Sequence, residues 1–139
     1  MPKELLKNKE GEERLKAVKH KGHSILICDF SDCSRDEGIE LLALLVARLQ
    51  EEAEGSVRLL LNTANATHDA TQTNEWKRHL ELFNSRLKKS AVIGMSPLNT
   101  IALAGIRMYG RLMGQDKAVT QTQVFDSREA ALDYLGSEN

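Results

Sequence analysis

Cys33, His68 and Asp69 are the residues of this 139-residue chain whose types come closest to a reactive set. A thiol, an imidazole to take its proton and a carboxylate to orient that imidazole would make a small thiol-dependent hydrolase, provided the loops carrying them converge. His20, His23, Cys28 and Cys33 are of the types that bind zinc, but His23 and Cys28 lie five positions apart. On one strand those two side chains leave from opposite faces, so no metal site is expected, and Cys28 reads as a small core hydrophobe.

Asp29, Asp32 and Asp36 are of the type that holds a hard cation beside a phosphorylated aspartate, but the next core strand ends in Asn62 instead of an acid. Too few oxygens converge for such a cage, and Asp36 is better used in the first turn of a helix, where the dipole favours an acid. Gly94-Met95-Ser96-Pro97 offers backbone N–H groups at a helix start, without the glycine run and lysine of a phosphate-binding loop. Lys77, Arg78, Arg86, Lys88 and Lys89 make one segment basic, yet Glu75 and Glu81 dilute it and no aromatics interleave. That segment reads as a solvated face, and nucleic acid is not an expected partner. The loop from Asn62 to Asp69 is polar and holds no obvious core residue. Together with Gly94–Pro97 it is the expected binding surface, carried by Asn62, Thr63, Asn65, Thr67, His68 and Ser96.

These residues must be placed by secondary structure, and the apolar pattern supplies it. Residues 1–13 are charged and aperiodic and read as a flexible leader. Arg14–Lys19 reads as an edge strand guarded by lysines, Lys21-Gly22 as a turn, and Ser24–Phe30 as a strand whose unbroken apolar run implies cover on both faces. Ser34-Arg35-Asp36-Glu37 is a capping box opening a helix with Ile39, Leu42, Leu45, Val46 and Leu49 on one stripe. Val57–Asn62 is a second core strand. Asp69 then caps a helix whose inner face is Trp76, Leu80, Phe83 and Leu87. Ser90–Met95 is a further strand, and Ser96-Pro97 starts a helix expected to turn Ile101, Ala104, Met108 and Leu112 inward. Tyr109 and Met113 fall off that stripe and form an i, i+4 pair suited to homodimerisation. Val119–Phe125 and a helix capped at Asp126-Ser127 and closed by Gly136 end the chain. Strands alternating with helices predict an α/β domain over 14–139. Its mostly parallel sheet has about five strands, including an antiparallel edge strand, and is covered by about four helices.

The composition is that of an ordinary single domain: 41% hydrophobic and 28% charged residues, with 19 Lys+Arg against 20 Asp+Glu. A net charge of -1 gives no global steering toward nucleic acid or anionic membranes, and 4% aromatics leaves little for base-stacking platforms. Two cysteines make no secreted disulfide scaffold, and the longest apolar run, Ile39–Leu49, is interrupted by Glu40 and Arg48. The charged start lacks a signal-peptide core, so a cytoplasmic location is expected.

Three stretches resemble one family. His20-Lys21-Gly22-His23-Ser24-Ile25-Leu26-Ile27-Cys28-Asp29-Phe30-Ser31 is similar to the opening of small bacterial STAS/SEC14-type domains, also called SpoIIAA-like. Lys89–Ser96 and Val124–Leu135 are similar to later parts of it, and the element order agrees over roughly residues 14–136. The resemblance implies a non-enzymatic module without cofactor or metal, acting through a protein partner or a small apolar or anionic ligand in bacterial regulation. In antagonists of the family a kinase phosphorylates a serine in an Asp-Ser-Ser-Gly type motif. Here Asn62-Thr63-Ala64-Asn65-Ala66-Thr67 stands in that place, so the switch does not carry over. A carrier or sensor of an apolar ligand, using a groove between the Trp76 and Met108 helices, is the alternative, and the thiol hydrolase a third.

Overall fold

Lys21 and Gly22 both take positive φ, 53° and 82°, which is what a two-residue hairpin turn needs. They fold β1 (Leu15–His20) back antiparallel onto β2 (His23–Asp29). The computed structural model describes residues 6–114 and 122–137. After the hairpin come α1 (Arg35–Gln50), β3 (Val57–Asn62), α2 (Ala70–Arg78), α3 (Leu80–Arg86), β4 (Leu87–Ile93), α4 (Pro97–Leu112), β5 (Thr122–Phe125) and α5 (Arg128–Leu135). The sheet runs β1-β2-β3-β4-β5, with only the β1–β2 pair antiparallel. Every parallel connection steps the same way across the sheet, so right-handed crossovers put α1 to α4 on one face. The last helix, α5, covers the other.

Each helix starts where a side chain can satisfy its free N–H groups. Ser34 and Glu37 form a reciprocal capping box on α1, Asp69 and Gln72 do the same on α2, and Ser96 and Ser127 cap α4 and α5. On the α1 face Leu26, Cys28 and Leu59 pack against Leu41, Leu42, Leu45, Leu49 and Phe83. On the α5 face Ile25, Ile27, Leu60 and Ala91 pack against Ala131 and Leu135. The unbroken apolar run of β2 thus feeds two cores at once, as a strand covered on both sides must. Arg58 and Lys89 close the C-terminus of α5: Arg58 donates to the carbonyls of Leu135 and Ser137, and Lys89 to those of Tyr134 and Ser137, both at 3.1 Å.

Three expectations are corrected. The helix after Asp69 breaks at His79, whose φ of -110° and ψ of 11° leave the helical region, so five helices are described where about four were expected. Leu87 opens β4 rather than ending that helix, yet it enters the same core as Phe83. The third concerns α4, which lies inverted about its axis. Ile101, Met108 and Leu112, expected inward, are 69%, 64% and 79% exposed, while Asn99, Ile106 and Gly110 are buried. Tyr109, expected to stand free, is half-buried beside Leu80 and Ile106 with the Lys77 ammonium 5.0 Å from its ring centre; Met113 remains exposed. The physical reason is that α4 packs on α2 through Leu103, Ile106 and Tyr109, and a cavity lies between this inner face and the sheet.

Residues 1–5 of the expected leader, and 119–121 of the expected last strand, lie outside the described residues. From Leu6 the leader folds onto the sheet: Asn8 accepts from the N–H groups of Glu10 and Glu12 at 3.0 and 2.9 Å and donates to Asp29 at 2.8 Å.

Candidate functional site

The space between the sheet and α2, α3 and α4 is an apolar cavity of about 120 Å³. Its walls are built from three aromatic rings in sequence: Phe30 and Trp76 lie 5.7 Å apart between centroids, and Trp76 and Phe83 stack at 5.2 Å. Leu80, Leu103 and Ile106 close it from the helices, and Leu59, Leu61 and Val92 from the sheet. Trp76, Leu103, Tyr109, Leu80 and Ile106 form the contact that holds α4 in place. Arg107 adds a tie to the sheet by donating to the Thr122 carbonyl at 2.7 Å.

The polar groups collect at one end, beyond the carboxyl ends of β3 and β4, where ligands enter open parallel sheets. Two loops meet there. Gly94 sits at φ +77° so close to the first loop that a Cβ on it would stand 2.6 Å from the Ala64 nitrogen. The Thr63 N–H and its Oγ1 both donate to the Ile93 carbonyl, at 2.9 and 3.1 Å. The two stretches read as one surface are thus adjacent. Thr63, Thr67 and His68 line the cavity. Asn62 does not: its Oδ1 accepts from the Ala64 N–H, and it lines a small polar cleft on the α5 face. Asn65 is exposed at the loop tip with φ 56°, and Ser96 is occupied in capping α4.

His68 is half-buried, and a 2.7 Å hydrogen bond joins its Nε2 to Thr73 Oγ1. Burial moves its pKa below the ordinary histidine value, against the opposing pull of Asp69, so the ring is neutral near pH 7. Among the residues that sequence reasoning missed, Asn99 and Gln72 are both buried and both line the cavity. Gln72 spends its carbonyl on the Asp69 N–H. The Asn99 side chain makes no hydrogen bond to any described residue. The signal for Asn99 was present in the spacing, because 99, 103, 106 and 110 form an alternative helical stripe with a polar residue at its head.

Cys33 and His68 do not form a nucleophile–base pair. The histidine is bonded to Thr73, and Cys33 is 1% exposed with its thiol pushed up to about 11 by burial. Cys28 is fully buried and its thiol is raised further. Neither sulfur supplies the thiolate such chemistry needs at neutral pH. Asp29 accepts from Asn8 and from the Ser31 N–H, and Asp32 pairs with Lys9, so the acids near β2 serve separate partners. Among the described residues no three His, Cys, Asp or Glu side chains gather as a metal would require, and no helix is long and apolar enough to cross a membrane. Compared with known family models, curated proteins and solved structures, the chain matches none.

Proposed function

We propose that this chain is a non-enzymatic, SpoIIAA-like binding module whose ligand is a small apolar molecule held under α4. One observation carries the reading: an apolar, aromatic-walled space lies between α4 and the sheet. Interiors normally close such voids, because each costs stability in proportion to its volume. A space of about 120 Å³ lined by a ring cluster and opening at the carboxyl ends of the strands has the form of a small-molecule site. Trp76, the single tryptophan, lines it and reports on its contents. Titrating benzene should change Trp76 emission and raise the melting temperature of the wild type, with both effects abolished by Ile106→Phe, which fills the space. Emission and melting unchanged by saturating benzene would overturn the reading.

A second reading, self-association, is favoured by the outer face of α4. Leu98, Ile101, Met108 and Leu112 form an exposed apolar stripe along α4 with the exposed Gly105 at its middle, and a twofold pairing would bury that stripe against its own copy. No side chain at Gly105 keeps the two helices apart. Homodimerisation therefore shifts from the expected Tyr109 and Met113 to this stripe, with Met113 at its end. Light scattering should give a dimer mass for wild type and a monomer mass for Ile101→Glu. A monomer mass at every concentration tested would remove the dimer.

A further inference from the structure

Among the described lining residues, Asn99 is the one polar side chain that is both deeply buried, at 7% exposure, and without a hydrogen bond to any described residue. Its amide has two donors and an acceptor still open to an occupant of the cavity, and an occupant that enclosed them without pairing them would bind at a cost. It sits in the first turn of α4, at the same end as Thr63, Thr67 and His68, so the cavity has a polar end and an apolar depth toward Leu80, Phe83 and Leu87. His68 adds a second free valence there, since only its Nε2 is engaged. At the other end Ser90 and Thr122 satisfy each other. Among the described residues the lining contains no Asp, Glu, Lys or Arg. An ionised carboxylate or phosphate would therefore enter without a countercharge, which burial penalises heavily.

Size sets a further limit. An apolar cavity of about 150 Å³ holds benzene, and this one is about 120 Å³. Scaled from benzene, the space suits a molecule of about five or six non-hydrogen atoms. Resting on the reading of the cavity as a ligand site, we propose that its ligand is a small uncharged molecule bearing one hydrogen-bonding oxygen, a ketone, aldehyde or alcohol, and that Asn99 reads that oxygen. The resemblance left open an anionic ligand; the uncharged lining argues against it.

The test uses two probes of one shape: cyclopentanone, and methylenecyclopentane, in which a carbon replaces the oxygen. Their affinities are measured by Trp76 emission on wild type and on Asn99→Leu, with Asn99→Ala as a second variant should leucine crowd the space. In wild type the amide pairs the ketone oxygen, and in the variants that oxygen is buried unpaired, so the ketone-to-alkene affinity ratio should fall about tenfold. Butanoate, of the same number of non-hydrogen atoms, should at neutral pH bind at least about tenfold more weakly than cyclopentanone, since its charge finds no partner among the described lining residues. A ratio unchanged by both substitutions, with the alkene binding normally, would overturn the role of Asn99 and leave the apolar site standing. Butanoate binding as well as the ketone would overturn the uncharged ligand class. If neither cyclopentanone nor methylenecyclopentane binds wild type, the cavity reading falls and this inference with it.

Discussion

Gly94→Ala is the substitution that most sharply couples the fold to the cavity. Two costs add at this position. Gly94 has φ +77°, and alanine in the left-handed region costs about 1–2 kcal/mol. The new Cβ would also stand 2.6 Å from the nitrogen and 2.9 Å from the Cα of Ala64. These are backbone atoms that cannot swing aside as a flexible side chain would. Moving that loop costs about a further 1–3 kcal/mol, as overpacking does. Gly55 supplies the control: it has φ +64°, but nothing lies within 4 Å of an added Cβ, so Gly55→Ala should show the first cost alone. Urea denaturation read by Trp76 emission should place Gly94→Ala about 1–3 kcal/mol below Gly55→Ala, the overpacking cost alone. The gap amounts to roughly 3–10 °C in melting temperature for a chain of this size. Because Thr63, Ala66 and Thr67 belong to the displaced loop, benzene binding should weaken as well. Equal stabilities for the two variants would refute the close approach of the two loops.

Three further outcomes follow from single groups. His68 has its folded pKa lowered below 6.5, so the unfolded chain takes the proton first and stability should fall as pH drops below about 6.5; His68→Gln should flatten that slope, whereas the depressed carboxylates Asp29, Glu37 and Asp133 act only at lower pH. Cys28 and Cys33 are free and buried, so Ellman's reagent should label neither in the folded protein and both in urea, and fast labelling of either in buffer would contradict their burial. Lys89→Met removes the ammonium that caps α5 and lies 4.8 Å from the Tyr134 ring centre. It should cost about 0.5–1.5 kcal/mol for the lost hydrogen bonds, since Arg58 still donates to the Ser137 carbonyl and Ser137 to that of Tyr134, and hydrogen exchange should speed in α5 before the sheet; unchanged exchange there would count against the cap.

Much of the fold was legible because its punctuation is local. Ser34 and Glu37, Asp69, Ser96-Pro97 and Ser127 start helices through bonds to backbone within three residues, and Lys21-Gly22 closes a hairpin through its own φ angles. The β3 strand, Val57–Asn62, was readable to the residue because its apolar run is bounded by Gly55 and the polar loop. What failed had no local mark. His79 breaks a helix without glycine or proline, and Leu87 keeps the spacing of a helix face while belonging to a strand, because both geometries deliver it to one core. The inverted face of α4 is the instructive case. Hydrophobic periodicity finds the more apolar stripe and assigns it inward, which holds only where the helix packs on something. Here the more apolar stripe faces out, and the inner one, headed by Asn99, faces a space. Of the candidate surface, Thr63, Thr67 and His68 were found from polarity alone; the side chains of Trp76 and Phe83 were read as core, although a groove between the Trp76 and Met108 helices was the alternative ligand site. Their double role as core and cavity wall depends on the distance between α4 and the sheet, which no local pattern encodes.

The most direct measurement is a crystal structure determined under xenon pressure, since xenon enters empty apolar cavities and is seen directly. The expected result is one xenon site between α4 and the sheet, among Trp76, Phe83, Leu103 and Ile106, with α4 still standing off β4. A structure in which α4 has closed onto the sheet and no xenon lies among those four side chains would contradict the cavity as the functional centre of this protein.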